Sequence, residues 1–260
     1  GLASIEQDDG EVRIGPLVTI RELETSALVR ERLPLLWEAA HQFASLQVRD
    51  AATIGGNICR ASPSGETLAP LLVLEATAKL AFPDGEKVHA VTGKANPDTT
   101  TRQDAGPATR DSGGPFFQGP GKTVLGSGGL LTEIRVPYPA GASRGVYLKH
   151  AVRGAMDIAM VGVAVQLTPD AAGRSVEEAR IGLSAVAPTP IRASKAEALL
   201  RGKPITAGLS REAAAMAASD ASPITDQRAS AEYRTWIVEA LTLKGLEQSW
   251  MAAAGKEALV

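Results

Sequence analysis

The sequence predicts an α+β protein in two parts, an N-terminal portion covering 1–141 and, over 142–260, an antiparallel sheet carrying three helices. Three observations predict it. Leu130–Val136, Val146–Arg153, Ala159–Thr168 and Ala179–Ala187 are strand-like runs joined by short links, which suits antiparallel pairing. Beyond Pro190 the apolar residues follow a helical period. Ahead of Leu130, short helices alternate with short strands, and two adjacent glycines, Gly55 and Gly56, interrupt the pattern.

Composition sets the outer bounds. A chain of 260 residues, 44% hydrophobic and 22% charged, is long enough to bury a sizeable core. Its formal net charge of −2 leaves no basic footprint for nucleic acid. No apolar run approaches the roughly 20 residues that span a bilayer, and no charged-then-apolar leader opens the chain, so it reads as cytoplasmic. Cys59, the single cysteine, excludes an internal disulfide and cannot hold an iron–sulfur cluster, which takes about four thiolates. Redox chemistry here needs an organic cofactor. His41, His89 and His150 lack the i, i+3 or i, i+4 spacing of ligands on one helix, so no metal site is expected.

Taken in order, Gly1–Gly10 shows no obvious first element, and Glu11–Ile14 is a short strand. Thr19 and Glu22 form a capping box that opens a helix running to about Leu28. Pro34 sits in the first turn of the next helix, whose apolar face is Leu33, Leu36, Trp37, Ala40 and Ala44, with His41 beside it as a packing or capping residue. Ser62-Pro63-Ser64-Gly65 is a turn, Ser64 is the expected N-cap, and Glu66 opens an apolar helix to Glu75. Ala78–Phe82 is a strand closed by Pro83-Asp84-Gly85. From Val91 to Pro115 the composition turns to Thr, Gly, Asp, Asn and Pro without periodicity, the mark of a long solvated insertion.

In the C-terminal part, Tyr147, Lys149, Ala151 and Arg153 share one strand face, so Lys149 and Arg153 either line a cleft or meet water. Ser194 and Glu197 read as a second capping box, opening a helix that closes at Gly202. Ser210 is the expected cap of an Ala-rich helix. The longest helix begins at Ala229 or Ser230, with Tyr233, Trp236, Ile237, Ala240 and Leu241 expected on its buried side.

The stretch Thr53-Ile54-Gly55-Gly56-Asn57 is where chemistry is expected. Two consecutive glycines allow positive φ and close backbone approach, and a Thr hydroxyl, an Asn amide and bare N–H groups in one turn suit an anion such as phosphate. The spacing matches neither G-x-G-x-x-G nor the P-loop, so by itself the stretch is equally a tight turn. Gly121-Lys122-Thr123 likewise lacks the glycine that would complete a P-loop.

The whole string is more specific. Thr-Ile-Gly-Gly-Asn-Ile followed by Ala-Ser-Pro-Ser-Gly-Glu-Thr resembles the second flavin loop of the FAD-binding medium subunits of molybdenum hydroxylases, the family of xanthine, aldehyde and carbon monoxide dehydrogenases. From about Val12 to Leu246 further signatures follow in the family's order: Phe-Phe-x-Gly-Pro-Gly-Lys-Thr, Leu-Leu-Thr-Glu-Ile-Arg-Val-Pro, Met-Asp-Ile-Ala, Ala-Val-Ala-Pro-Thr-Pro and Asp-x-Arg-Ala-Ser-Ala-Glu-Tyr-Arg.

That resemblance implies a vanillyl-alcohol-oxidase/PCMH-type FAD-binding domain over 1–141, followed over 142–260 by the small antiparallel sheet with three helices. It places Thr53, Ile54, Gly55, Gly56 and Asn57 at the FAD pyrophosphate, and Gly65 and Glu66 toward its ribitol or phosphate side. Leu130 and Lys149 fall near the flavin ring. No catalytic side chain is implied. The family passes electrons from a partner's iron–sulfur clusters through FAD to an external acceptor, while substrate is oxidised on a molybdopterin large subunit. The implied assembly is a dimer of heterotrimers with an iron–sulfur small subunit.

Two departures stand beside it. The 91–115 insertion is usually much shorter in the family. A first loop of the type Ala-Gly-Gly-x-Ser/Thr, expected about one βαβ unit or roughly thirty residues ahead of Val12, has no match, so the sequence alone leaves an N-terminally incomplete flavin domain and a flavin-free scaffold both open. A stand-alone FAD oxidase of the same fold is the remaining alternative, and it would need a substrate domain that the short helical C-terminal part does not resemble.

Overall fold

A computed structural model describes residues 1–91, 115–154 and 156–254. The insertion expected at 91–115 lies almost wholly outside the described residues.

The chain starts with a strand the sequence did not announce: β1 (Ile5–Asp8) pairs antiparallel with β2 (Glu11–Ile14). Five short helices follow: α1 (Ile20–Thr25), α2 (Ala27–Arg32), α3 (Pro34–His41), α4 (Leu46–Ala51) and α5 (Ile54–Arg60). The Thr19–Glu22 capping box forms as expected. The helix it opens stops at Thr25 rather than Leu28, because Ser26 turns extended and accepts the Val29 N–H to cap α2. Pro34 occupies the first turn of α3, where no N–H is needed.

Then come α6 (Leu68–Val73), β3 (Thr77–Phe82) and β4 (Gly85–Ala90). Ser64 caps nothing: 62–65 closes as a turn through Gly65 N–H to the Ser62 carbonyl, and α6 begins after Thr67. β5 (Phe117–Gly119) and β6 (Lys122–Thr123) make a small hairpin, and β7 (Leu130–Pro137) runs between β2 and β3. The first sheet is therefore β1-β2-β7-β3-β4, antiparallel throughout.

β8 (Arg144–His150), β9 (Val161–Pro169), β10 (Val176–Ser184) and β11 (Ile191–Arg192) form the second sheet in the order β11-β10-β9-β8, also antiparallel. Every residue of β9 is buried, because both faces are covered. Val161, Val163, Val165 and Leu167 point to one side, with α7 (Ser194–Leu200), α8 (Ala207–Asp220) and α9 (Ala231–Ala254). Tyr147 and Ala164 point to the other, toward the first core and α6.

Three C-terminal expectations are corrected. The Ser194 capping box does not form, because the Glu197 carboxylate is taken by the Ile181 N–H at 2.7 Å and by Arg192 at 2.6 and 3.0 Å. Thr206, not Ser210, caps α8, and Ser210 is buried within it. On α9, Trp236 is 60% exposed and Tyr233 39% exposed, so neither is core. The buried face is Arg234, Val238, Thr242, Gly245, Leu246, Ser249 and Trp250. Small residues set that rotation: a Cβ on Gly245 would lie 2.7 Å from Val165, so α9 presents Gly245 where it crosses β9.

Candidate functional site

α5 sits with its N-terminal turn against the chain that leaves β2. The Gly55 N–H donates to the Pro16 carbonyl at 3.0 Å and the Ile54 N–H to Val18 at 2.9 Å. A Cβ on Gly55 would fall 2.5 Å from Pro16, so only glycine permits this contact. Thr53 is the N-cap, its hydroxyl oxygen accepting the Gly56 N–H at 3.0 Å.

The double glycine is thus helical and neither residue has positive φ, which corrects the expected nest. The physical reason is that the first-turn N–H groups are already used, the fourth by Asn57 to the Thr53 carbonyl. What α5 offers outward is the Thr53 hydroxyl and the bare Cα of Gly56.

That surface forms one wall of a cleft of about 730 Å³. Leu2, Pro16 and Leu17 also line it, together with Gln118, Lys122, Thr123, Gly126, Gly129 and Leu130 of the 118–131 segment. Leu17 is 56% and Leu130 60% exposed, apolar surface turned to solvent at a cleft. Cys59 is also in the wall, its thiol pushed up by burial, so nothing activates it. Among the described residues no acidic side chain lines the cleft.

Of the residues singled out in the sequence, Thr53, Gly55, Gly56 and Leu130 meet here, while Ile54 is fully buried and contributes backbone. Asn57, Gly65, Glu66 and Lys149 belong to a polar cluster that does not line the cleft. The Asn57 Oδ1 accepts the Thr67 hydroxyl at 2.7 Å, and a Cβ on Gly65 would crowd that same oxygen at 3.1 Å. Lys149 Nζ donates to Glu66 Oε1 at 2.8 Å and to the Gln42 carbonyl at 3.1 Å, with both charged side chains 8% exposed.

Around this pair α3 is tied to β8. The Glu38 carboxylate accepts the Tyr147 N–H at 2.7 Å, and burial raises its pKa. The Tyr147 and Ser184 hydroxyls are buried side by side at Gly162, and burial, then the Glu66 charge, pushes the phenol up.

Three signatures converge at one junction. The Arg234 guanidinium donates to the Met160 and Ala185 carbonyls at 3.0 and 3.3 Å and to Asp226 at 2.8 Å. Ala185, at φ 67°, donates its N–H to the Pro63 carbonyl at 2.6 Å. Ala-Val-Ala-Pro-Thr-Pro and Asp-x-Arg-Ala-Ser-x-x-Tyr-Arg, with Met160 just after Met-Asp-Ile-Ala, thereby join the 62–65 turn to the paired start of β9 and end of β10 and to α9.

Sequence reasoning missed Arg60, Lys122, Pro16 and Leu17. Arg60 and Lys122 are exposed, and neither makes an ion pair among the described residues. Gly121 beside Lys122, at φ +72°, was the available signal.

Comparison with known proteins supplies the remaining evidence. Residues 1–105 match the family described as the FAD binding domain in molybdopterin dehydrogenase, and residues 146–249 the CO dehydrogenase flavoprotein C-terminal domain. The carbon monoxide dehydrogenase medium chain of Hydrogenophaga pseudoflava is 31% identical over 97% of this chain and 79% of its own length. A putative xanthine dehydrogenase FAD-binding subunit of Escherichia coli is 29% identical over 96% of this chain and 77% of that protein. The solved carbon monoxide dehydrogenase from Hydrogenophaga pseudoflava, in a form lacking the Mo-pyranopterin moiety, superposes with a TM-score of 0.85 at 32% identity, covering 97% of this chain and 79% of that one.

Proposed function

Starting from a chain that belongs to the FAD-binding medium subunits of the molybdenum hydroxylases, we propose that its cleft holds FAD and that the protein relays electrons from a partner's iron–sulfur clusters to an external acceptor. The observation that carries this is the cleft of about 730 Å³ that unites Thr53, Gly55 and Gly56 with an apolar wall and a cation, with no acid in its lining among the described residues. Pockets of this size and mixed lining suit large cofactors.

The residues fit the group. Gly56 leaves the mouth open next to Thr53, whose hydroxyl proton is a donor for a phosphate oxygen. Leu2, Leu17 and Leu130 offer exposed apolar surface for an aromatic ring system. A bound flavin supplies the redox chemistry, and the protein supplies binding, orientation and exclusion of water. Lys149 and Glu66 act at one remove, fixing the 62–67 turn to β8 through their ion pair. Asn57 and Gly65 shape that turn from below.

The finer reading follows the family. The FAD-binding portion is of the PCMH type and ends near Gly141, and the subunit works in a dimer of heterotrimers with an iron–sulfur and a molybdopterin subunit in the cytoplasm. Among the described residues no helix is long and apolar enough to cross a membrane.

The test is the absorbance spectrum of the chain with FAD, beside Gly56→Leu. The wild type takes up flavin. The variant fills the mouth with an exposed side chain whose Cβ, 3.0 Å from the Thr53 hydroxyl oxygen, displaces that cap slightly; the chain stays folded, as its circular dichroism should show, while its FAD affinity falls by about tenfold or more. Equal FAD affinity in both proteins sinks the assignment of this cleft.

A further inference from the structure

We infer that Arg60 and Lys122 form a cationic phosphate subsite at the mouth of the cleft; this rests on the flavin reading and adds the charges that reading lacks. The need is physical: the α5 N–H groups are spent inside the protein, so an anion at Thr53 and Gly56 must find its positive charge elsewhere.

The two cations are brought together by the β5–β6 turn. The Gly121 N–H donates to the Ala61 carbonyl at 3.1 Å, which seats the turn on the C-terminal end of α5. Gly121 has φ +72°, and a Cβ there would lie 3.4 Å from Arg60 Nη1, so the guanidinium lies directly over the turn. Lys122 is the next residue, and it lines the cleft with Thr53, Gly55 and Gly56. Among the described residues neither cation has an acidic partner, and no carboxylate lines the cleft to neutralise them. Lys122 lines the cleft, and Arg60, outside its lining, lies beside the lining residue Gly121, so both add positive potential at that edge.

The ligand chemistry is a phosphate ester or pyrophosphate. Its source is either the flavin's own pyrophosphate or the phosphates of a soluble nucleotide that takes the electrons, and the experiment separates them. The full chain stripped of flavin is titrated with FAD, riboflavin and inorganic pyrophosphate, and the FAD-loaded chain with ADP, for the wild type and for Arg60→Gln/Lys122→Gln. Both side chains are exposed, so the double variant should fold normally; Arg60→Lys/Lys122→Arg keeps both charges and should restore binding, guarding against a merely structural loss.

If the flavin is the source, FAD affinity falls at least tenfold in the double variant, riboflavin affinity is unchanged, and the salt dependence of FAD binding flattens. If a soluble nucleotide is the source, FAD affinity is unchanged and ADP affinity falls by the same factor. FAD, ADP and pyrophosphate bound equally by both proteins overturns the subsite while leaving the flavin reading intact. A wild type that binds no FAD, yet holds pyrophosphate in a way the double variant loses, overturns the flavin reading and keeps the subsite.

Discussion

Lys149 and Glu66 carry opposite charges where little water reaches: each side chain is 8% exposed, with 2.8 Å between Nζ and Oε1. Breaking such a pair strands a buried charge, which costs about 3–5 kcal/mol, whereas replacing both partners with apolar groups is often close to neutral. Lys149→Met and Glu66→Leu should each lose stability on that scale in denaturant titration, and the double variant should recover most of it. Additive losses would mean the pair is not coupled. This arrangement was hidden in the sequence for a plain reason. The partners are 83 positions apart, and the period-two pattern that put Lys149 on a strand face could not say whether that face met water or a carboxylate. Thr53 shows the opposite case. Its capping role is a local matter of three residues, and Thr-Ile-Gly-Gly is legible as something special even though the sequence suggested a left-handed nest and the chain makes a helix.

At the scale of elements, the Asp226 carboxylate holds the turn that leads into α9, whose first N–H groups are bonded by the Thr225 and Ser230 hydroxyls. The Arg228 N–H, then the Arg234 guanidinium and the Ala229 N–H, hold the Asp226 carboxyl down at about 2, against 3.8 for an unperturbed group. A depressed carboxyl stabilises the fold above its unfolded pKa and loses that contribution as pH falls through the folded one, so the window runs from about pH 4 down to about pH 2. Amide exchange in the first turns of α9 should therefore accelerate across that window. In Asp226→Asn the exchange should already be faster at neutral pH and change less on acidification; an unaltered acid response would assign it to other groups. The same helix marks where periodicity misled. Tyr233, Trp236, Ile237, Ala240 and Leu241 make a plausible apolar stripe, but packing is decided by how closely the backbone can approach β9, and Gly245 and Ser249 lie on a different face. Helix existence was readable from the sequence; helix rotation depended on a partner strand some eighty residues earlier in the chain. β9 itself was readable because a strand covered on both faces is mostly apolar, Gln166 and Thr168 being its buried polar exceptions.

At the scale of the whole molecule, the two sheets are joined by α6, all six residues of which are buried. It packs against β10, β9 and β11 while belonging to the N-terminal portion by sequence. A Cβ on Gly182 would lie 2.7 Å from the Ala69 carbonyl, so β10 admits the helix only because it carries glycine there. Gln42 on the other flank donates to the Tyr147 carbonyl at 3.1 Å, and the Pro63 carbonyl receives Ala185. Two portions so interlocked should not melt separately. Chains of this length often unfold in stages, so a single calorimetric transition is a discriminating expectation here. Leu71→Ala at the centre of α6 should remove about 2–5 kcal/mol and shift that one transition as a unit. If two transitions appear and Leu71→Ala moves only the first, the boundary near Gly141 separates independent folding units. If one transition moves whole, the second sheet is the floor on which the 62–67 turn and α5 stand. FAD should then raise that one transition as a unit, β10 included, although β10 does not line the cleft.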